Sequence, residues 1–199
     1  MSSAEKNTRT RILDAAWTLL ETNLGEPVRM SDIAREAGIS RQALYLHFPT
    51  RAELLVETTL HIDEVKNMES RLTPSRSARS GEERLTAFVD AWGNYIPEIH
   101  GVGRALMAMQ ETDAEARSAW QGRMEAVRHG CAAVVRDLSR DGGLKPELDE
   151  GRATDLLWTL LSVRNWEHLV RDCGWSQTAY LETMQALARA ALVKTAATD

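Results

Sequence analysis

Apolar residues recur along most of the chain at intervals of three and four positions, which is the spacing of one helix face. No sustained alternation of apolar and polar residues marks a strand, so the sequence predicts an all-α fold of about nine helices. Gly38, Pro49 and Pro97 are predicted to end helices. The predicted helices lie near residues 5–22, 30–37, 41–48, 50–72, 85–96, 102–110, 113–140, 151–173 and 176–194, with a loop over 73–81.

Residues 30–48 predict two short helices joined by the tight turn Gly38-Ile39-Ser40. Gly38 suits the left-handed conformation in which a chain often leaves a helix, and Ser40 can cap the helix that follows. A capping box, Thr50-Arg51-Ala52-Glu53, is predicted to open the fourth helix. The spacing therefore predicts a helix-turn-helix followed closely by another helix.

The third helix has an unusual polar face. Leu44 and Phe48 are predicted to hold it to the core, and no acidic residue occurs between Arg41 and Arg51. A solvated helix normally carries Glu and Lys, whereas this one presents groups that match DNA base edges. Arg reads guanine, Gln reads adenine and an alanine methyl can meet a thymine methyl. The residues of this face are Arg41, Gln42, Ala43, Tyr45 and His47.

These residues resemble a known family. The pattern Ile12-x-x-Ala15-Ala16 and the stretch from Met30 to Leu55, MSDIAREAGISRQALYLHFPTRAELL, are similar to the DNA-binding domain of the tetracycline-repressor (TetR) family. The resemblance covers about residues 8–56. It implies an N-terminal three-helix DNA-binding domain over residues 1–56. Residues 57–199 would then form a helical ligand-binding and dimerisation domain.

The resemblance also implies roles for individual residues. Arg41, Gln42 and Ala43 would face base edges, whereas Tyr45 and His47 would contact phosphates or base methyl groups. The alternatives are that Tyr45 packs between helices and that His47 packs at the helix end. Phosphate contacts are expected from Arg51 at the start of the fourth helix, and from Thr8 and Arg9 on the first helix. The implied DNA-binding set is Arg29, Ser31, Ser40, Arg41, Gln42, Ala43, Tyr45, His47, Thr50 and Arg51.

Arg29 departs from the family pattern, which often places a Thr before the second helix as its cap. An arginine side chain cannot accept the N–H bonds that a cap must accept. Either Ser31 caps the helix one turn later, or the Arg29 side chain holds a DNA phosphate.

The C-terminal region would bind a small-molecule effector. By resemblance the middle helices enclose a mostly apolar cavity, whose candidate residues are Trp92, Tyr95, Arg104, Met107, Trp120, Met124, Trp158 and Asn165. A Trp or Met at helical spacing is more often an ordinary core residue, so this alternative stays open for each of them.

The last two helices would form a four-helix bundle with a second copy of the chain. The candidate interface residues are Leu156, Leu160, Leu181, Met184 and Leu187. A homodimer suits the task, because two recognition helices read a palindromic operator. The expected function is a ligand-responsive transcriptional regulator, a repressor that an effector releases from DNA.

Composition and charge narrow the alternatives. The net charge is −5, but residues 1–51 hold seven Lys and Arg against six acids, so the acidic excess lies beyond them. Cys131 and Cys173 form no Cys-x-x-Cys pair, and the first seven residues lack the apolar segment of a secretory signal. No apolar run is long enough to span a membrane. We therefore expect a cytoplasmic protein.

Catalysis has little support in the sequence. The five histidines show no zinc-binding spacing, so neither a metal, a cofactor nor an enzymatic activity is expected. One alternative is a small-molecule-binding or redox-sensing helical protein whose DNA-binding head is of minor importance. An architectural DNA binder without a ligand is another.

Overall fold

The computed structural model describes residues 3–23 and 27–195, with side chains from Asn7 onward. Within these ranges the chain forms helices and no strand, and an isolated antiparallel bridge joins Leu144 to Val193. The predicted all-α class is confirmed. The α-helices are α1 (Ser3–Thr22), α2 (Met30–Glu36), α3 (Arg41–His47), α4 (Arg51–Val65), α5 (Met68–Arg76), α6 (Gly81–Met109), α7 (Ala114–Arg140), α8 (Glu150–Leu160), α9 (Val163–Trp166) and α10 (Gln177–Leu192), and a π-helical segment, Glu167–Asp172, follows α9.

Contacts divide the chain into two compact units. The first unit comprises Met1–Asn67 and Ile99–Met124, and the second comprises Met68–Glu98 and Glu125–Asp199. This division groups residues by their contacts and not by their function. The domain boundary predicted at residue 56 therefore stays a prediction.

The first unit is built around α1, which packs against both α2 and α4, while α2 packs against α3. Apolar residues three and four positions apart on each helix point into one core, which removes their surface from water. This core also includes residues from the end of α6 and the start of α7. Its largest fully buried members are Ile12, Leu20, Ile33, Leu44, Phe48, Leu54, Leu55 and Leu106.

Pro97 does not end a helix, contrary to the sequence-based prediction, because α6 continues through it to Met109. A proline in a helix lacks the N–H that would bond the carbonyl four residues earlier, here that of Gly93. The Gln177 side chain supplies the missing donor, since its Nε2 donates to the Gly93 carbonyl at 3.0 Å. Trp166 Nε1 in turn donates to Gln177 Oε1 at 2.8 Å.

Two other predicted boundaries are wrong. The helix expected over 50–72 ends at Val65, because Asn67 takes a left-handed conformation with φ 54°, which Asn tolerates better than most residues. The separate helix α5 follows and extends into the predicted loop as far as Arg76.

The helix expected over 151–173 is interrupted after α8. Ser162 caps the short helix α9, and its Oγ accepts the N–H of Asn165 at 3.2 Å. The Leu161 carbonyl accepts a 2.8 Å hydrogen bond from the buried indole N–H of Trp92. The break after α8 thus leaves the Leu161 carbonyl without a partner in the helix, and the Trp92 side chain of α6 donates to it instead.

Candidate nucleic-acid interface

The turn between α2 and α3 is held in place on both sides. Gly38 has φ 64°, a left-handed conformation that Gly adopts without strain. The Gly38 N–H donates to the Arg35 carbonyl, and the Arg11 guanidinium of α1 donates to the neighbouring Ala37 carbonyl. Ile39 is half-buried against the core of the first unit. The predicted helix-turn-helix is present with its turn at the expected residues.

Helix α3 is fixed by local capping and by apolar packing. Ser40 is its N-cap, and its Oγ accepts the Ala43 N–H at 3.1 Å. Leu44 and Phe48 are fully buried, which orients the helix on the first unit. The side chains on the opposite face are therefore presented to solvent by a rigid support.

The outward face of α3 carries no acidic residue. Arg41, Gln42 and Tyr45 are exposed, and Ala43 and His47 are half-buried. The Arg41 guanidinium lies 5.6 Å from the centroid of the Tyr45 ring, and its Nη2 lies 3.4 Å from the Tyr45 hydroxyl. The Tyr45 ring thus lies within cation–π distance of a bidentate donor on the exposed side of the helix.

Leu46 is an exposed residue that the sequence analysis did not single out. Its side chain is 82% exposed, although it lies within the apolar-rich run Leu44-Tyr45-Leu46. The sequence held a signal, because Leu46 lies two positions from the buried Leu44 and therefore on nearly the opposite side of the helix.

Arg9 does not have the phosphate-binding role predicted for it. Its Nη1 donates to the His47 carbonyl at 3.0 Å, and its guanidinium lies 4.2 Å from the centroid of the Phe48 ring. Its Nη2 also lies 3.2 Å from Glu57 Oε2. Arg9 instead fixes the C-terminal end of α3 on the first unit. Thr8 is half-buried, and its phosphate contact stays a prediction.

Arg51 also points away from the predicted phosphate position. Its side chain is 15% exposed, and its Nη1 lies 2.7 Å from Asp113 Oδ2 and 3.0 Å from Glu115 Oε2. Its Nε donates to the Val28 carbonyl at 2.6 Å. An arginine neutralised by two carboxylates and turned inward cannot also hold a DNA phosphate. The prediction for Arg51 is therefore wrong, and its role is structural.

The other flanking residues lie on the surface of the first unit. Arg29 is exposed and occupies the N-cap position of α2 without a side-chain capping bond. Ser31 is exposed inside α2, so it is not the N-cap. The alternative in which Arg29 remains available for a phosphate is the one that fits this geometry. Thr50 is exposed and caps α4, its Oγ1 accepting the Glu53 N–H at 3.1 Å.

The predicted effector-binding residues fall in both compact units. Arg104, Met107, Trp120 and Met124 belong to the first unit, and Trp92, Tyr95, Trp158 and Asn165 belong to the second. Trp92 and Tyr95 are buried with their ring centroids 5.8 Å apart. The Asn165 amide donates to the Thr159 carbonyl at 2.6 Å, so it completes the end of α8. A ligand contact stays a prediction for all eight.

Two adjoining grooves lie in the second unit. The first, of about 760 Å³, is lined by the start of α6, by Leu138, Asp141 and Gly143, and by Gln185 and Arg189 of α10. The second shares Glu82, Gly143 and Arg189 with it. None of the eight predicted effector-binding residues lines either groove.

The predicted dimer-interface residues differ in exposure. Leu156 on α8 is 43% exposed and Leu187 on α10 is 44% exposed, whereas Leu160 and Leu181 are half-buried. Met184 is buried within its own subunit, so its assignment to a surface is wrong. Helices α8 and α10 contact each other within the second unit.

Three further observations bear on the remaining functional alternatives. Burial raises the pKa of the Cys131 thiol to about 12, which keeps it protonated and unreactive near neutral pH. Among residues 7–23 and 27–195, no cluster of His, Cys, Asp and Glu could hold a metal ion. None of the described helices is long and apolar enough to cross a membrane.

A rigidly supported helix with an acid-free outward face, as the second helix of a tight helix-turn-helix, is typical of proteins that bind DNA in the major groove. Residues 12–58 match the model of the bacterial regulatory proteins of the tetR family. Over these residues the chain is similar to the tetR family. This is a family of DNA-binding helix-turn-helix transcription repressors with ligand-binding C-terminal domains.

Individual relatives extend the comparison. The chain is 26% identical over 160 residues to nucleoid occlusion factor SlmA of Shewanella pealeana, covering 78% of this chain and 80% of that protein. It is 27% identical over 140 residues to the HTH-type transcriptional regulator EthR of Mycobacterium tuberculosis, covering 68% of this chain and 62% of EthR. Further SlmA proteins match over less than half of their length.

A solved structure shares the fold. A transcriptional regulator from Saccharomonospora viridis, crystallised in complex with choline, superposes with a TM-score of 0.74 at 20% identity. The superposition covers 96% of this chain and the whole of the other. The fold therefore extends through the C-terminal helices.

Proposed function

We propose that this chain represses transcription by binding a palindromic operator as a homodimer, and that a small-molecule effector releases it. The observation that carries the proposal is the outward face of α3. Arg41, Gln42 and Tyr45 are exposed there without an acidic neighbour, on a helix that buried Leu44 and Phe48 hold fixed. Such a face attracts phosphates and offers donors to base edges.

In this proposal, each exposed residue has a distinct task. Arg41 donates two hydrogen bonds to guanine and Gln42 pairs with adenine, while Ala43 meets a base methyl group. Tyr45 and His47 contact the backbone or a base methyl. Arg29, Ser31, Ser40 and Thr50 position the protein on phosphates. The hydroxyls of Ser40 and Thr50 accept capping bonds, but each retains a proton to donate.

The length of α3 supports a dimer. Seven residues span about 10 Å, which is enough to read only a few base pairs. Two copies related by a two-fold axis place two such helices on successive turns of the duplex. Exposed Leu156 and Leu187, on the contacting helices α8 and α10, are the residues we assign to the subunit interface.

The interface assignment has a direct test. We expect Leu187→Glu to shift the protein from dimer to monomer in sedimentation velocity and to weaken operator binding in parallel. Leu60→Glu is the matched control, because Leu60 is a 48% exposed leucine on α4. An unchanged dimer in Leu187→Glu, or equal dissociation in both variants, would refute the assignment.

We further propose that residues 57–199 bind the effector and that residues 1–56 bind DNA, in the cytoplasm and without a catalytic step. The relative crystallised with choline supports a small organic effector for this fold. Candidate compounds can be screened by the increase that they cause in the melting temperature of the protein. A ligand that stabilises the protein without releasing it from DNA would contradict induction by effector.

The central experiment is selection of binding sequences by the full-length protein from a pool of random duplexes. We expect an enriched palindrome with two half-sites. The affinity of the protein for this duplex should fall as the salt concentration rises. Recovery of no preferred sequence, or of extended coverage without a palindrome, would overturn it. The second result would favour an architectural DNA binder.

A further inference from the structure

Leu46 is the most exposed large apolar side chain among the residues that the structure describes, at 82%. It belongs to α3, in which the other leucine, Leu44, is completely buried. A single exposed leucine on a protein surface is ordinary. Leu46, however, lies at the centre of the outward face of α3, which is the face proposed to bind DNA, and this position suggests a function.

Helical geometry places Leu46 beside Gln42. Successive residues of an α-helix are rotated by about 100°, so residues two positions before and after Leu44 both lie about 160° from it. Gln42 and Leu46 are these residues, and their spacing of four makes them neighbours along the helix. They form the outermost pair of side chains on α3, with Arg41 and Tyr45 on one flank.

The apolar side chain of Leu46 limits which group of the duplex it can contact. A leucine can neither hold a phosphate nor bond a base edge, but it can cover an apolar group. In the major groove the C5-methyl group of thymine is the apolar group that bases present. We propose that Leu46 contacts a thymine methyl group beside the base pair contacted by Gln42. This inference rests on the proposed function.

The spacing along α3 limits where this thymine lies. Four residues rise about 6 Å along a helix, less than two base-pair steps of about 3.4 Å each. The thymine therefore lies within about two base pairs of the adenine read by Gln42. The half-site is consequently expected to contain neighbouring A·T pairs at this position.

Deoxyuridine provides the test, because it differs from thymidine only by the missing methyl group. Each thymine of the duplex selected by the full-length protein is replaced in turn by deoxyuridine, and Kd is measured by fluorescence anisotropy. For the wild type we expect the substitution to weaken binding by about fourfold at the position read by Leu46 in each half-site, the contribution of one buried methyl group. A second sensitive position is expected where Ala43 meets a methyl group, and Leu46→Ala should leave that one unchanged. The base pair read by Gln42 is located separately, as the position at which Gln42→Ala loses base preference.

The decisive quantity is the ratio of the two Kd values, for the deoxyuridine and the thymidine duplex, in each variant. Leu46→Ala is expected to bring this ratio to about one at the critical position, whereas Leu60→Ala leaves it unchanged. An unchanged ratio in Leu46→Ala, or a wild type indifferent to every methyl group, overturns the inference while leaving operator binding intact. Such results would direct attention to a protein partner for Leu46. A protein that selects no duplex refutes the proposed function itself.

Discussion

The guanidinium of Arg51 lies between two carboxylates, with Nη1 2.7 Å from Asp113 Oδ2 and 3.0 Å from Glu115 Oε2. The same side chain donates from Nε to the Val28 carbonyl. Arg51 therefore joins the start of α4 to the segment before α2 and to the start of α7, all within the first unit. Arg51 thus stabilises the first unit from within, although it lies at the edge of the DNA-binding region.

We expect Arg51→Ala to lower the free energy of unfolding by about 2–4 kcal/mol, since it leaves the largely buried Asp113 carboxylate and Val28 carbonyl without their donor. Urea denaturation measures this loss. Arg35→Ala is the control, because Arg35 pairs with Asp32 on the surface and its loss should change stability by less than about 0.5 kcal/mol.

The salt dependence of operator binding separates the two roles considered for Arg51. In variants that remain folded, Arg51→Ala should keep the wild-type slope of log Kd against log salt. Arg29→Ala should reduce that slope by about one unit, because it removes a phosphate contact. A slope reduced by Arg51→Ala at full stability would restore the phosphate role.

Asp113 makes the stability of the first unit depend on acid. Burial alone would raise the pKa of its carboxyl group, but the Ala116 and Glu115 N–H groups and the Arg51 charge hold that pKa below its usual range. A lowered pKa stabilises the folded state above the unfolded value of about 4, and this contribution is lost as pH falls through the folded value.

Asp113→Asn should therefore destabilise the protein at neutral pH, and the difference from wild type should shrink as pH falls below about 4. Urea unfolding at several pH values measures it. Asparagine can still accept the two capping N–H bonds, so the variant removes the charge and the oxygen that faces Arg51 but keeps the cap. Glu111→Gln is an exposed control that should show no such convergence. A difference independent of pH would contradict the assignment.

Arg41 is expected to read one base pair. Arg41→Ala should cost about 1–3 kcal/mol of operator binding and relax the preference at a single position. Competition between singly substituted duplexes measures the change. Tyr45→Phe, which removes the hydroxyl near Arg41 but keeps the ring beneath it, should preserve that preference. Equal losses on all duplexes would show that Arg41 contacts only phosphate.

The two cysteines should differ in reactivity. In the native protein at neutral pH, a thiol reagent should modify the exposed Cys173 and spare Cys131, whose pKa burial raises to about 12. Both should react in denaturant. Cys173→Ser should then leave the native protein unreactive over the same period. Rapid modification of Cys131 in the native state would instead support the redox-sensing alternative.

Features of this fold that depend on neighbouring residues can be predicted from the sequence. The helix-turn-helix, the caps Ser40, Thr50 and Ser176, and the bounds of α7 and α10 depend on nearby residues, and the structure places them as predicted. The exposed, acid-free face of α3 also follows from residues within a few positions of one another.

The errors arose where a distant partner decides the outcome. Proline normally ends a helix because it lacks an N–H donor, but here Gln177 supplies a donor from 84 residues beyond Gly93. The family resemblance assigns Arg51 to a DNA phosphate, whereas its carboxylate partners lie more than 60 residues further along the chain. Spacing along a sequence does not reveal such pairs.

The bond from Gln177 to the Gly93 carbonyl also bears on synthesis of the protein. The ribosome completes α6 long before it reaches α10, so a growing chain holds a helix with an unsatisfied carbonyl beside Pro97. Until α10 is made, the donor that Gln177 supplies in the folded protein is missing. Premature termination before α10 would therefore damage the middle of a helix whose own sequence is intact.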